Sequence, residues 1–311
     1  MKTNLFKQVA FAAMLFGALT FTGCNKDDEQ EKVNTSSMEQ LSKDDNDVTA
    51  GTEDAENELN NLIASNGNFK STDGGNVPCN AVVDSVVTAN DTIYMYVTYN
   101  GLSCNGKRLR VGKTIIQKSV GTHWIDAGAQ VKINFINYKV TKVATGKSMT
   151  LNGYKIQTNV SGGHMALLGN GYESIVHKSS GVMQAAFDDN STRTWNIARQ
   201  KTFTGTIDSL VMAVDGFGTA GTYTNLTSWG VNRSGEEFYS QVNQSVVFKT
   251  QCGWVPCSGI QVYQIPSVPK SATITYGYDD NNQLITNGDC PTKYRLDWQK
   301  NNLSGTLYLF L

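Results

Sequence analysis

Hydrophobic and polar residues alternate along most of the chain after about residue 77. In the first clear run, Ile93, Met95, Val97 and Tyr99 share one side of an extended strand, and more polar residues lie between them. Comparable runs contain Val131, Ile133 and Phe135, then Phe238, Val242, Val246 and Phe248, and finally Leu303, Leu307, Leu309 and Leu311. Such alternation is typical of half-buried antiparallel strands. The pattern predicts an all-β body organised as an antiparallel meander.

Turn-forming dipeptides separate these runs. They are Asn100–Gly101, Asn105–Gly106, Asn152–Gly153, Gly162–Gly163 and Asn287–Gly288, and each is expected to form a hairpin turn. No segment after residue 67 has ten or more residues with helical spacing, so parallel crossovers are not expected. The sheet must therefore close or stack on itself, as an elongated sandwich or a curled open barrel.

An internal repeat suggests that this β-rich domain, 77–311, contains two related halves. The segment Tyr99–Lys107 passes from a strand through Asn-Gly to a cysteine and a lysine, and Thr286–Lys293 repeats that order. We place the halves at about 77–205 and 206–311.

The first 23 residues have the pattern of a secretion signal. Lys2 and Lys7 precede an apolar stretch from Val9 to Phe21, which is shorter than the roughly 20 residues that span a bilayer. Cys24 follows directly, as in bacterial lipoprotein signals. We therefore predict removal of 1–23 and acylation, for example by palmitate, at Cys24, where each buried methylene adds about 0.8 kcal/mol of membrane affinity. The alternative is an ordinary secretory signal in which Cys24 is incidental.

An acidic segment follows Cys24. Asn25–Glu31 resembles the short tag that directs Bacteroidota lipoproteins to the outer face of the outer membrane. This resemblance predicts an outer-membrane protein that faces the cell exterior. The alternative is that the acidic segment is only a solvated tether and does not specify the exterior location. Twelve of the 27 acidic residues lie between Asp27 and Glu58. Few apolar residues occur there, so 24–76 is expected to be a lipid anchor and flexible stalk with one short helix at about 53–65.

Several motifs in the body resemble a family of Bacteroidota surface lipoproteins with paired cysteines and no established activity. Ile93–Ile116, with its Asn-Gly-x-x-Cys-Asn-Gly turn and basic second strand, resembles the opening module of that family. Further matching elements are Phe135–Tyr138, Leu151–Tyr154, Asn190–Trp195, Cys252–Trp254, Ser258–Gly259 and Asn287–Cys290. The resemblance covers roughly 77–311 and implies an architecture and a location but no reaction. Cys257 departs from the pattern of the family.

Five cysteines remain after Cys24, and an exported protein is expected to pair most of them. The internal repeat favours Cys79 with Cys104 and Cys252 with Cys290, which leaves Cys257 as a free thiol. Pairing of Cys252 with Cys257 is the alternative.

Catalytic and metal-binding patterns are absent from the sequence. There is no Gly-x-Ser-x-Gly elbow, and His123, His164 and His177 lack metal-ligand spacing. Glu173, Asp215, Glu236 and Glu237 could supply a glycosidase pair, but their separation is not encoded. The Asp-rich runs Asp188–Asn190 and Asp279–Asn282 could hold calcium but are more typical of turns. We predict no catalytic residue, no metal and no cofactor.

Three surface features remain as binding or modification hypotheses. Lys107, Arg108, Arg110 and Lys113 could form a patch for an anionic ligand, or a charged outer face that prevents edge pairing. Ser85, Thr92 and Ser209 lie in Asp-Ser/Thr-apolar triplets that resemble Bacteroidota O-glycosylation sites. The five tryptophans could stack on sugars, although Trp195 and Trp254 are expected to pack in the core.

The sequence thus predicts a membrane-anchored, non-enzymatic binding or adhesion module for a glycan or a surface protein. A structural envelope subunit and a glycan hydrolase are the alternatives. The exported location excludes nucleic acid as a partner.

Overall fold

The computed structural model describes residues 38–52, 55–56 and 78–311. The predicted signal 1–23, Cys24, the acidic tag 25–31 and the adjoining part of the stalk up to 37 lie outside these ranges. Within them, no helix combines the length and the apolar character needed to cross a membrane.

In the part of the chain that the structure describes, fifteen strands form one antiparallel sheet, as the alternation predicts. They are β1 (Ala81–Ala89), β2 (Thr92–Leu102), β3 (Arg108–Ser119), β4 (Ala129–Lys142), β5 (Ser148–Asn159), β6 (Ser174–Phe187), β7 (Thr192–Thr206), β8 (Ser209–Gly216), β9 (Gly218–Ala220), β10 (Tyr223–Val231), β11 (Glu237–Lys249), β12 (Pro256–Ile265), β13 (Lys270–Tyr278), β14 (Lys293–Lys300) and β15 (Leu303–Phe310). Each strand pairs with its sequence neighbour except around β8 to β10. The expected antiparallel meander is confirmed.

Strands β8 and β10 share one position in the sheet, between β7 and β11. The first half of β7 pairs with β10 and its second half pairs with β8. From the opposite edge of this position, β11 also pairs with both β10 and β8. In the described part of the chain, β9 follows β8 directly and pairs with β10, so β9 and β10 form a short hairpin within the sheet.

A helix, α1, precedes the sheet, and it begins earlier than the sequence predicts. Residues 38–52 and 55–56 are helical, whereas we expected a flexible stalk there and a helix at about 53–65. Residues 57–65 of that predicted helix lie outside the described ranges. The buried positions Met38, Leu41, Asp45, Val48 and Thr52 recur at spacings of three and four, so one full face of α1 is covered. The stalk prediction failed because that face mixes apolar with acidic residues.

The sheet curls around α1. Asp47 of the helix contacts Lys142 at the end of β4, and Asp45, two residues earlier, contacts Tyr263 in β12. In a flat sheet these two strands would lie about 29 Å apart, since neighbouring strands are about 4.8 Å apart. A helix is only about 10–12 Å wide. Both contacts are possible only because the sheet wraps around the helix, and β1 and β15 form the two ends of the sheet among the described strands.

Glycines within the strands permit this curvature. A Cβ atom on Gly153 would lie 2.3 Å from the carbonyl oxygen of Val182 in the next strand. A Cβ atom on Gly112 would lie 2.3 Å from the carbonyl oxygen of Asn137. Gly153 lies inside β5, and Gly101 likewise lies inside β2. Two of the dipeptides that we predicted as hairpin turns are therefore points of close approach within strands.

The core fills the space between α1 and the concave face of the sheet. Met95, Val97, Ile133 and Phe135 are almost fully buried, as their alternation predicts. Met38, Leu41 and Val48 of α1 belong to the same hydrophobic cluster. The helix is thus part of the core and lies inside the sheet.

Two disulfides lie at the ends of the strands. Cys79 is bonded to Cys104 and Cys252 to Cys290, as predicted from the repeat, and Cys257 is a free thiol. The rival pairing of Cys252 with Cys257 is therefore wrong. The two proposed halves share one continuous sheet, because β7 pairs with both β8 and β10 across the suggested boundary.

Candidate functional site

A buried carboxylate on α1 connects the helix to three parts of the sheet. Asp45 accepts a hydrogen bond from the Arg193 guanidinium at 2.7 Å, and Arg199 approaches its other oxygen at 3.4 Å. The hydroxyls of Ser228 and Tyr263 each donate to the same carboxylate at 3.2 Å. The donors lie on β7, β10 and β12, so one side chain of the helix fixes the curvature of the sheet around it.

Electrostatics keep Asp45 ionised. Burial alone would raise the pKa of this carboxyl, but the charges of Arg193 and Arg199 and the hydrogen bonds from Arg193 and Tyr263 lower it below its ordinary value. Burial and the neighbouring Asp45 charge raise the pKa of Tyr263 well above its ordinary value, so this phenol remains a donor. The stabilisation provided by Asp45 is present at neutral pH and is lost only when the pH falls below the ordinary carboxyl range.

A second buried ion pair holds the other end of α1. The Lys155 ammonium donates to the Glu56 carboxylate and, at 2.8 Å, to the Thr52 hydroxyl. The amide of Gln157 donates to the other oxygen of Glu56. The Lys155 and Glu56 side chains are 4% and 3% exposed. Lys155 and Gln157 occupy inward positions on β5, which were not predicted to be buried.

Asp44, next to Asp45 on α1, is also buried. It accepts hydrogen bonds from Arg233 and Gln40, both at 2.7 Å. Burial outweighs these contacts and raises the pKa of Asp44 above its ordinary value. The pKa of Asp44 is raised and that of Asp45 is lowered. Acidification therefore removes the stabilisation from ionised Asp45, whereas protonation of Asp44 favours the folded state.

A cavity of about 640 Å³ lies beside α1. One wall is the helix, with Asn46, Thr49 and Ala50. The opposite wall is largely apolar and consists of Met212, Val214, Val242, Val246, Phe248, Tyr276 and Tyr294. Trp254, Phe310 and Leu311 also line it and are more than a third exposed. The cavity is therefore open to solvent beside an aromatic and aliphatic rim.

Basic side chains line another part of this cavity. Arg108, Lys142 and Lys147, hereafter the basic cluster, come from the facing ends of β3 and β4 and from the β4–β5 turn. Arg108 and Lys142 are register partners on adjacent strands. Like charges directly opposite one another are unfavourable in a sheet. A carboxylate of α1, that of Asp47, lies 3.5 Å from the Lys142 ammonium.

The predicted patch of four basic residues does not form one surface. Arg110 is fully buried, where its guanidinium donates to the Cys79 carbonyl at 2.8 Å and lies over the Tyr99 ring. Lys107 and Lys113 are exposed, whereas Arg108 lines the cavity. Because successive side chains of a strand alternate between its two faces, Arg108 and Arg110 lie on the inward face of β3 and Lys113 lies on the outward face. The patch prediction is wrong as a set, and only Arg108 belongs to the cavity.

The remaining predicted positions are dispersed. Ser85 and Ser209 are exposed and Thr92 is half-buried. Trp195 is buried as expected, whereas Trp254 is 43% exposed and has a positive φ of 63°, contrary to the expected core position. Burial raises the pKa of the Cys257 thiol.

The carboxylates considered for glycan hydrolysis are occupied or separated along the fold. Glu236 accepts from Asn232 and forms an ion pair with Lys270, both at 3.0 Å. Asp215 accepts from Ser245 at 2.6 Å, and Glu173 and Glu237 are exposed. In the Asp-rich turns, Asp279 accepts from the backbone of Asn281 and Gln283, whereas Asp188 accepts from the backbone and hydroxyl of Ser148 at the start of β5. In the described residues no three His, Cys, Asp or Glu side chains are arranged to hold a metal ion.

His177 is a buried titratable group inside the sheet. Its ring lies 5.2 Å from Trp124 and 5.4 Å from Phe203, and within the described part of the chain its Nε2 has no hydrogen-bond partner. Burial and, secondarily, the charge of Lys201 lower its pKa from 6.5 to about 4. The native imidazole is therefore neutral.

Acidification from pH 6.5 to pH 4 is expected to destabilise the protein through His177. In that window the unfolded imidazole binds a proton and the folded one does not, so the free energy of unfolding falls by about 3 kcal/mol. Urea denaturation at both pH values checks this, with His177→Gln as the comparison. An equal loss in the wild type and the variant would assign the effect to other groups.

Comparisons with protein-family models, curated proteins and solved structures give no match to this chain. The resemblance to Bacteroidota surface lipoproteins therefore remains a prediction from its motifs.

Proposed function

We propose that this protein is a non-catalytic binding module, anchored to the outer membrane through Cys24 and facing the cell exterior, whose ligand occupies the cavity beside α1. The observation that carries the proposal is the cavity itself. Its volume of about 640 Å³ lies within the range of small-molecule sites, which are typically about 300–1,000 Å³. Its lining combines a broad apolar wall with convergent polar groups, as such sites do.

The cavity is built on rigid elements. Thr49 of its helical wall accepts a hydrogen bond from Arg199 at 2.7 Å, and Arg199 in turn contacts Asp45. On the sheet side, Gln261 donates to the Ser240 hydroxyl at 2.7 Å, and that hydroxyl also contacts Thr227 at 3.0 Å. These contacts hold the polar lining in place before a ligand enters, which reduces the ordering cost of binding.

The carboxylates that line the cavity favour binding over hydrolysis. Asp45 is committed to two arginines, and Asp47 lies 3.5 Å from Lys142. A glycosidase needs one carboxyl group to donate a proton and another to act as nucleophile or base. With both carboxylates engaged by cations, a non-catalytic role is the better proposal.

The anchor and the exterior location rest on the sequence of residues 1–31. Intact mass measurement of the mature chain tests the anchor, since the proposal requires acyl groups on Cys24. Protease treatment of intact cells tests the location, and complete protection would contradict it.

Filling the cavity is expected to abolish ligand binding. Val246 is buried on the apolar wall, so Val246→Trp places an indole in the cavity, and Met212→Trp does the same from β8. Ligand-observed NMR with a library of small sugars, aromatic acids and aliphatic acids measures binding. Val82→Trp is the matched control, because Val82 is 63% exposed on β1. Hits that persist in both filled variants would contradict the proposed site.

A further inference from the structure

One wall of the cavity is uncharged and continuous. Val242, Val246 and Phe248 line it from β11, and the six residue steps between the first and the last of them span about 20 Å. On β8, Val214 and Met212 are the register partners of Val246 and Phe248, so the apolar surface is two strands wide. The basic cluster lies on other segments, at the facing ends of β3 and β4 and in the β4–β5 turn. The wall therefore offers a ligand apolar contact without charge.

The inner end of this wall is buried, and its polar groups already have partners. Val242 and its register partner Gln261 are both buried. Gln261 donates to the Ser240 hydroxyl at 2.7 Å and accepts from the Tyr276 hydroxyl at 3.4 Å. The Thr227 hydroxyl also contacts that of Ser240, at 3.0 Å. An apolar ligand end can therefore lie here, because it leaves none of these groups buried without a hydrogen bond.

Exposed apolar side chains line the outer end of the wall, which is the mouth of the cavity. Phe310 is 73% exposed, and Trp254 and Leu311 are 43% and 40% exposed. The left-handed backbone of Trp254 is unusual for a bulky residue, and conformations of this kind cluster at ligand-binding positions. The disulfide of Cys252 with Cys290 lies two residues before Trp254 and restrains this turn. An apolar path thus leads from solvent to the buried end of the wall.

We propose that the cavity binds the unbranched hydrocarbon chain of an amphiphile. The chain enters beside Trp254, lies along β11 and ends beside Val242, and the headgroup stays in solvent at the mouth. This inference rests on the proposed function, because it assigns a ligand class to the same cavity. An apolar wall about 20 Å long suits an extended chain better than a compact ring. Each methylene buried on it should strengthen binding about four-fold.

Isothermal titration of the mature chain carrying Cys24→Ser, which lacks its own acyl groups, tests the proposal with octyl, decyl and dodecyl maltoside below their micellar concentrations. The three probes share one uncharged headgroup, so only the chain length varies. We expect the affinity to rise about 15-fold for each added pair of methylenes. Octyl glucoside and its branched isomer 2-ethylhexyl glucoside have equal carbon content. The unbranched isomer should bind at least about five-fold more tightly, because it extends farther along the wall.

Substitutions locate the chain within the cavity. Val246→Trp and Met212→Trp should abolish maltoside binding, with Val82→Trp again as their control. Trp254→Ala removes the indole from the mouth and should weaken dodecyl maltoside binding about five- to ten-fold. Phe217→Ala is the matched control for this change and should leave binding unaltered, because Phe217 is an aromatic residue of similar exposure, 39%, on the β8–β9 connection.

The outcomes separate the two proposals. Equal affinity for the three maltosides, or for the two glucosides, overturns the hydrocarbon-chain class, and so does dodecyl maltoside binding that Trp254→Ala does not change. In that case loss of binding in Val246→Trp and Met212→Trp would still support the cavity as a binding site. Maltoside binding that persists in both filled variants overturns the site itself. Absence of binding by every probe overturns the hydrocarbon-chain proposal, and the NMR screen then decides the proposed function independently.

Discussion

Asp45→Ala is expected to lower the free energy of unfolding by about 3–5 kcal/mol, because it leaves buried cations without their partner. The Arg193 side chain has no solvent exposure and that of Arg199 is only 10% exposed. The Arg193 guanidinium also lies between the rings of Trp195 and Phe238, at 5.0 and 4.5 Å, so it cannot turn toward water without disrupting the core. Urea denaturation monitored by tryptophan fluorescence measures the loss.

Asp47→Ala provides the matched control for this experiment. It removes an aspartate from the same helix, but its partner Lys142 and Asp47 itself are each 50% exposed. A solvated pair contributes about 0–1 kcal/mol, so the control should change stability little. Equal effects of the two substitutions would mean that α1 does not bury Asp45.

Glu56→Ala is expected to have an effect of similar size, again about 3–5 kcal/mol, because it removes the carboxylate of a buried, hydrogen-bonded ion pair. Gln157 would also lose the carboxylate to which it donates. The same urea titration measures the change. Glu39→Ala, which removes the partner of the largely exposed Lys43, serves as the control and should have little effect.

A double-variant cycle separates the ion pair from general disruption. Glu56→Leu with Lys155→Met replaces both charges by apolar side chains, and such replacements of a buried pair are often neutral or stabilising. The double variant should therefore be more stable than either single variant. Additive losses would show that the two side chains do not interact.

The strands and disulfides could be predicted because local sequence determines them. Alternation at positions such as Met95, Val97 and Tyr99 gives the buried face directly. The repeated Asn-Gly-Cys pattern marks Cys104 and Cys290 as equivalent positions, and these are bonded to Cys79 and Cys252 respectively. Each inference uses residues that are close in sequence or related by a repeat.

The helix was missed because its buried face is not apolar. Met38, Leu41 and Val48 have helical spacing, but Asp45 and Glu56 complete the face. From sequence alone, an acidic segment is interpreted as exposed to solvent, because the cations that it contacts in the fold are not known. The signal that could have revealed it is the set of cations at inward strand positions, since Arg193 and Lys155 share a face with Trp195 and Leu151.

The cavity could not be derived from sequence. Its lining combines α1 with the start of β3, the β4–β5 turn and the last residues of the chain, such as Phe310. Only the curvature of the sheet brings these segments together, and that curvature depends on side-chain contacts to α1 and on glycines whose role is not local. Arg108 was singled out as an anion-binding candidate, but grouping it with Arg110 was wrong. Both lie on the inward face of β3, where Arg110 is fully buried and Arg108 lines the cavity, and strand alternation does not encode that difference in depth.

Hydrogen–deuterium exchange of residues 41–52 tests most directly whether α1 lies inside the curled sheet and forms a wall of the cavity. Backbone amides in this helix should exchange as slowly as those in β5 and β7, while the exposed β4–β5 turn at 143–147 exchanges quickly and serves as the internal reference. Exchange of the helical segment within seconds at neutral pH, with the strands still protected, would contradict the account.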